Sequence, residues 1–262
     1  MRRPPRSGRW PLPLKGRRQQ PGAAGSAAFA WWHSASLASQ VIPSATAAKP
    51  GERPQSLGEE IANAVSHGLG ALAALALLPL LVWQAARAGS AADVVAAVVF
   101  AVSMLMLYAI SAVYHALPAG RAKLWMNRLD HAAIYVFIAG SYTPFTLGVL
   151  RGAWGWTLFG IVWGAAALGV AIKLLNRLRH PWWSTGLYVA MGWVAVVAAV
   201  PLLERMPTAG LAWLLAGGLS YTLGALVFLC DSRIRYAHFA WHLFVLGGSV
   251  CHAVAVLGYA RG

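Results

Sequence analysis

Seven stretches of this chain are each long and apolar enough to cross a lipid bilayer. They run approximately from Ile61 to Ala86, Ala91 to Leu117, Ala132 to Leu150, Trp154 to Leu175, Trp182 to Leu203, Ala209 to Cys230 and Tyr236 to Ala260. A hydrocarbon core about 30 Å thick takes roughly 20 helical residues to span. Inside it every backbone polar group needs a partner from the protein, and a run of that length finds one in its own helix. The pattern predicts an all-α, polytopic membrane protein with seven transmembrane helices. Charged residues make up only 11% of the chain, against about 25% in soluble domains, so an ordinary soluble fold is excluded. The connections are short and carry breakers such as Gly89-Ser90, Pro118, Gly152, Pro181 and Pro207.

Residues 1–55 have a different character. The opening "MRRPPRSGRWPLPLKGRRQQPGAAGS" is rich in Arg, Pro, Gly and Ser. With no apolar run to bury, it predicts a disordered basic tail ahead of a seven-helix domain over 56–262. The net charge of +14 does not point to nucleic acid, because the basic residues cluster in the tail and between apolar runs. That arrangement suits membrane topology and anionic lipid as partner. Nine lie in the tail, and Arg121, Lys123, Arg128, Lys173, Arg177, Arg179, Arg233 and Arg235 share its side of the membrane, 17 in all. Four, Arg87, Arg151, Arg205 and Arg261, fall on the other. The bias predicts an inner (plasma) membrane protein with its N-terminus cytoplasmic and its C-terminus outside. Cys230 and Cys251 lie in apolar runs without a CxxC spacing, so neither a disulfide framework nor a cysteine metal site is supported.

On that topology the polar residues segregate. Glu60, Asn63 and His67 open the first run, Ser111 and His115 close the second, Asp130 opens the third, and His238 and His242 open the seventh. All fall at the cytoplasmic end, and ionisable residues in membrane spans mark function by default. In "HFAWH" the two histidines are four residues apart, hence about 40° apart on one helical face. Such a pair is a common half of a zinc site. His115 is the candidate third ligand, and three imidazoles leave one tetrahedral position open. Asp130 is placed to take a proton from water there, and Ser111 to donate a hydrogen bond to a ligand or to a developing oxyanion. Plainer roles stand beside these. A lone intramembrane His commonly hydrogen-bonds between helices, and HxxxH arises by chance. Asp130 is also placed to balance Arg128, and Ser111 to bond back to its own helix. His252 lies ten residues beyond His242, about 15 Å deeper, and is expected outside any such site. His131 projects about 100° away from Asp130 and is also left out of the metal's immediate shell. No lysine lies mid-span to carry retinal, and a pair on one face cannot ligate a haem from both sides.

The motifs "EIANAVSH", "SAVYH", "RLDHAAIYVFIAGSYTPF" and "HFAWHLFVLGGSVCH", in this order, resemble the hemolysin III family, the bacterial branch of the progestin and adipoQ receptor superfamily. The resemblance covers roughly residues 57–260 and excludes the tail. It implies a zinc (Zn²⁺) site inside the membrane near the cytoplasmic face, with His115, His238 and His242 as ligands, Asp130 holding the metal's water and Ser111 in a shared Ser-x-x-x-His motif. It leaves the roles of Glu60, Asn63 and His67 open. Two functional expectations follow. The first is a zinc-dependent hydrolase of a lipid amide or ester, ceramidase-like, with its substrate in the cytoplasmic leaflet. The second is a non-enzymatic, zinc-stabilised sensor or cytolytic protein. Oligomeric state is not readable from the sequence.

Overall fold

The computed structural model describes residues 53–177 and 180–261. The tail expected to be disordered lies, up to residue 52, outside the described residues, as does Arg179. Among the described residues the fold is all helix: α1 (Leu57–Ala88), α2 (Ala91–Ala116), α3 (Arg121–Leu147), α4 (Ala153–Leu174), α5 (Pro181–Gly192), a 3-10 segment (Trp193–Ala198), α6 (Ala199–Arg205), α7 (Thr208–Phe228) and α8 (Ala237–Tyr259). With α5, the 3-10 segment and α6 taken as one interrupted crossing, these are seven membrane-length units. Sequential neighbours α1 to α4 pack pairwise, α7 packs on α8, and α8 returns to α1.

Six of the seven are apolar enough for a membrane span by length and composition alone. The exception is α3, for a physical reason. It packs against α2, α4, α5 and α8, and its buried residues run from Asp130 to Thr146. A helix enclosed by protein meets little lipid and can carry Asn127, Asp130, His131 and Ser141. It also begins at Arg121, so Asp130 sits well inside the helix, where the apolar run suggested it would open one. Hydropathy marks the bilayer core; the helix continues past it.

The first helix has its polarity turned inward. Ile61, Val65, Leu69, Leu72 and Leu75 are exposed on the lipid side, while Asn63, Ser66, His67 and Ala74 are buried. Spacings of three and four keep each set on one face. Its start is fixed by a capping box: Ser56 and Glu59 satisfy each other's backbone N–H groups. Glu59 does more than cap. Its carboxylate also accepts from both terminal nitrogens of Arg53, at 2.7 and 2.6 Å, and from the backbone N–H of Tyr236 at 2.8 Å. Tyr236 is the residue that starts α8, in a left-handed conformation (φ 59°) that a non-glycine residue rarely adopts. Glu59 therefore helps hold the entry to the last helix.

The fifth crossing, expected to be continuous, is broken between Gly192 and Ala199. Pro201 has no N–H to give the carbonyl four residues back, which weakens the ladder there. Tyr142 on α3 fills the break: its hydroxyl accepts from Ala195 N–H at 2.9 Å and reaches the Met191 carbonyl at 3.2 Å. In a membrane such backbone groups need a protein partner, and Tyr142 supplies one. Between α7 and α8 the approach is close. A Cβ on Gly248 would come within 2.5 Å of the Tyr221 ring, so only glycine allows that contact.

Candidate metal centre

His115 closes α2, while His238 and His242 occupy the first two turns of α8. The fold brings the three together as a buried cluster, with one ligating nitrogen from each within 4.8 Å of the others. Their rings form a near-equilateral triangle, with centroids 5.0, 5.1 and 4.9 Å apart and planes inclined by 65°, 72° and 63°.

The hydrogen bonds decide which nitrogen faces the centre. His115 Nδ1 donates to Glu60 Oε2 at 2.7 Å, and His238 Nδ1 donates to Asp231 Oδ2 at 3.0 Å. His242 Nδ1 lies 3.2 Å from Ser66 Oγ, whose own hydrogen goes to the Asn63 carbonyl at 2.9 Å. Ser66 is therefore the acceptor and His242 Nδ1 the donor. With every Nδ1 protonated, each Nε2 holds a lone pair. All three Nε2 atoms are buried and have no hydrogen-bond partner. Three orphaned lone pairs on one cluster would cost roughly 1–3 kcal/mol each. A metal ion removes that cost, and the donor set fits one: neutral imidazoles, each oriented through its other nitrogen by a carboxylate or hydroxyl. The triad can hold a metal ion.

Asp130 on α3 adjoins Ser111 and lies within electrostatic reach of His238. Ser111 Oγ is buried without a hydrogen bond of normal geometry. Asp130 also lines a cavity of about 130 Å³ whose wall includes His67, Leu107, Ile134, Phe137 and Val245. A second cavity, about 320 Å³, shares Ser141, Tyr142, Trp193 and His252 with it and continues to Leu158 and Leu203. From Asp130 to Phe145 along α3 the two extend about 22 Å by helical rise. The break in the fifth crossing, at Gly192 and Trp193, lies on the wall of both.

The helix 1 residues separate. Glu60 reaches His115 and, through Oε1, Lys123 at 2.8 Å. Asn63 Nδ2 donates to Gln55 at 2.7 Å, away from the histidines. His67 stacks face to face on His242, with centroids 3.5 Å apart and planes 8° from parallel. His131 Nδ1 donates to the Asn127 carbonyl of its own helix, and His252 Nδ1 to Gly248. Sequence reasoning missed two partners, Asp231 and Ser66. Asp231 left one clue, being among only seven acidic residues in the chain and at the same membrane end as the histidines. Ser66 left none beyond adjoining His67.

An all-helical bundle with a buried histidine triad able to hold a metal near one end of its helices defines a multi-pass membrane protein with an internal candidate metal site. The comparisons narrow this to a family. The haemolysin-III-related family model matches residues 55–253. Hemolysin-3 of Bacillus cereus is 43% identical over 205 residues, 78% of this chain and 93% of the relative. A Hemolysin-3 homolog of Bacillus subtilis is 43% identical over 201 residues, 77% of this chain and 94% of the relative. More distantly, the human monocyte to macrophage differentiation factor is 29% identical over 170 residues, 62% of this chain and 68% of the relative. The chain belongs to the haemolysin-III-related family, and the human relative fits the wider progestin and adipoQ receptor superfamily.

Proposed function

We propose that the protein is a zinc-dependent hydrolase of a lipid amide or ester, working from the cytoplasmic leaflet of the inner membrane. The observation that carries this reading is the set of three unpartnered Nε2 atoms, each fixed by a bonded Nδ1, beside an acid and an apolar cavity. His115, His238 and His242 would hold the ion; four-coordinate zinc favours such a nitrogen set and keeps a position open. Bound zinc supplies a Lewis acid and lowers the pKa of a water to about 7. Asp130 then accepts the proton of the attacking water and returns it to the leaving amine or alcohol as the C–N or C–O bond breaks. Ser111, next to Asp130, would turn its hydroxyl to donate a hydrogen bond to the carbonyl oxygen as charge builds there. The apolar cavity holds the acyl chain and excludes bulk water.

Orientation is part of the proposal. The histidine cluster lies at the membrane end that carries Arg121, Lys123, Arg128, Arg233 and Arg235, which the charge bias assigns to the cytoplasm. A reporter fused after Arg261 that is active only in the cytoplasm would contradict it. A second reading, a zinc-stabilised sensor or a cytolytic protein, draws on the name of the Bacillus relatives. Metal analysis of purified protein, followed by a screen of lipid amides and esters, separates the two. One zinc per chain with turnover that depends on Asp130 is the expected result. One zinc per chain and lysis undiminished by Asp130→Asn would favour the non-enzymatic reading.

A further inference from the structure

His67 is the one histidine of the cluster with nothing to do. It is 2% exposed, and neither of its ring nitrogens has a hydrogen-bond partner. A neutral imidazole offers one N–H and one lone pair, and burying both unpaired is expensive. Ligating the triad's ion does not explain it. Imidazole binds a metal in the plane of its ring, and the His67 ring lies parallel to that of His242 at 3.5 Å. An ion in the plane of His242 is therefore well outside the plane of His67. Packing alone explains the ring but not the nitrogens, since Tyr108, which meets it edge-on at 5.0 Å, has its hydroxyl committed to Ser249 at 2.6 Å.

What His67 does touch is the cavity. It lines the same cavity as Asp130, whose lining also includes the apolar side chains of Leu107, Ile134, Phe137 and Val245. A molecule that fits such a space is apolar along its length and polar at the end beside Asp130 and His67. We infer that His67 is a substrate-contacting residue whose ring N–H donates a hydrogen bond to the carbonyl group of an acyl lipid in this cavity. The inference rests on the hydrolase reading and adds to it a contact from α1 in the cavity that Asp130 of α3 also lines. It assigns the helix 1 histidine to recognition of the acyl head, while Glu60 in the same motif orients His115.

The test uses the full chain, purified in detergent and loaded with zinc, and lauroyl hydroxamic acid as probe. Zinc stoichiometry and probe affinity by titration calorimetry are read on wild type, His67→Phe and His67→Gln. Phe keeps the aromatic stack but has no N–H; Gln restores a donor without the ring. The expected result is one zinc per chain in all three. Probe affinity should fall about tenfold in His67→Phe, the effect of one hydrogen bond lost in a buried site, and recover in part in His67→Gln. Wild-type affinity in His67→Phe would overturn the inference and leave His67 a packing residue. Loss of zinc in both variants would overturn it by placing His67 in the metal site. Wild type that binds no zinc, or binds zinc but not the hydroxamate, would instead bring down the hydrolase reading, and this inference with it.

Discussion

Replacing Glu60 tests whether the bonds behind the triad set its metal affinity. Its carboxylate holds His115 Nδ1 at 2.7 Å, a shorter bond than Asp231 makes to His238 at 3.0 Å or Ser66 to His242 at 3.2 Å. The His115 side chain is also the more enclosed, 1% exposed against 10% for His238. Losing such an outer partner weakens metal binding about 10–100-fold, or about 1.4–2.8 kcal/mol. Charge-assisted bonds are roughly twice as strong as neutral ones. Glu60→Ala, which removes charge and acceptor together, belongs near the upper end at about 100-fold. Glu60→Gln keeps an acceptor oxygen and belongs near about tenfold. Asp231→Asn should match or fall below Glu60→Gln, and Ser66→Ala, which loses one neutral bond, should weaken binding by about threefold to tenfold. Competition against a chromophoric chelator gives the affinities, and circular dichroism confirms that each variant is folded. Folded Glu60→Ala with wild-type affinity, or Ser66→Ala as the most damaging of the set, would refute the reasoning.

Further outcomes follow from the same geometry. His115→Ala, His238→Ala and His242→Ala should each lose most bound zinc, because two ligands hold the ion far less well than three, whereas His252→Ala should keep it; elemental analysis of folded protein decides. Asp130→Asn and Ser111→Ala should retain the metal yet lose lipid hydrolysis, read as turnover at equal zinc content. Glu59→Ala removes the acceptor of Arg53 and Tyr236 and should destabilise the bundle, visible as a lower thermal midpoint in detergent. Deleting residues 1–50 keeps Arg53 and should leave both insertion and metal content intact; loss of folded, metal-loaded protein would show that the tail contributes.

The helices and the cluster were legible for the same reason: both depend on periodicity and depth, which a linear sequence preserves. His238 and His242 share a face through their spacing alone, and the end of the second apolar run puts His115 at their level. Asp231 was not legible, because it lies in the turns after α7 and reaches His238 only through the path of that connection. Ser66 was hidden by ordinary appearance; its role depends on where its one hydrogen goes. The break in the fifth crossing escaped because hydropathy is blind to hydrogen bonding, and Tyr142, which repairs it, is 50 residues away in sequence from Gly192. The start of α1 at Leu57 was readable in principle from "SLGE", a capping box upstream of the apolar run.

The triad is divided between α2 and α8, and its bracing comes from α1 and from the turn just before α8. This division imposes an order of events during synthesis. A chain that has emerged only as far as α7 contains His115 and Glu60 but only one imidazole of the triad, too few for a stable ion. The three imidazoles come together only when the final helix seats against α1, where Glu59 receives Tyr236. Any metal uptake would thus be the closing act of assembly, and a chain stalled or cut before its last 26 residues (237–262) would lack two of the three imidazoles.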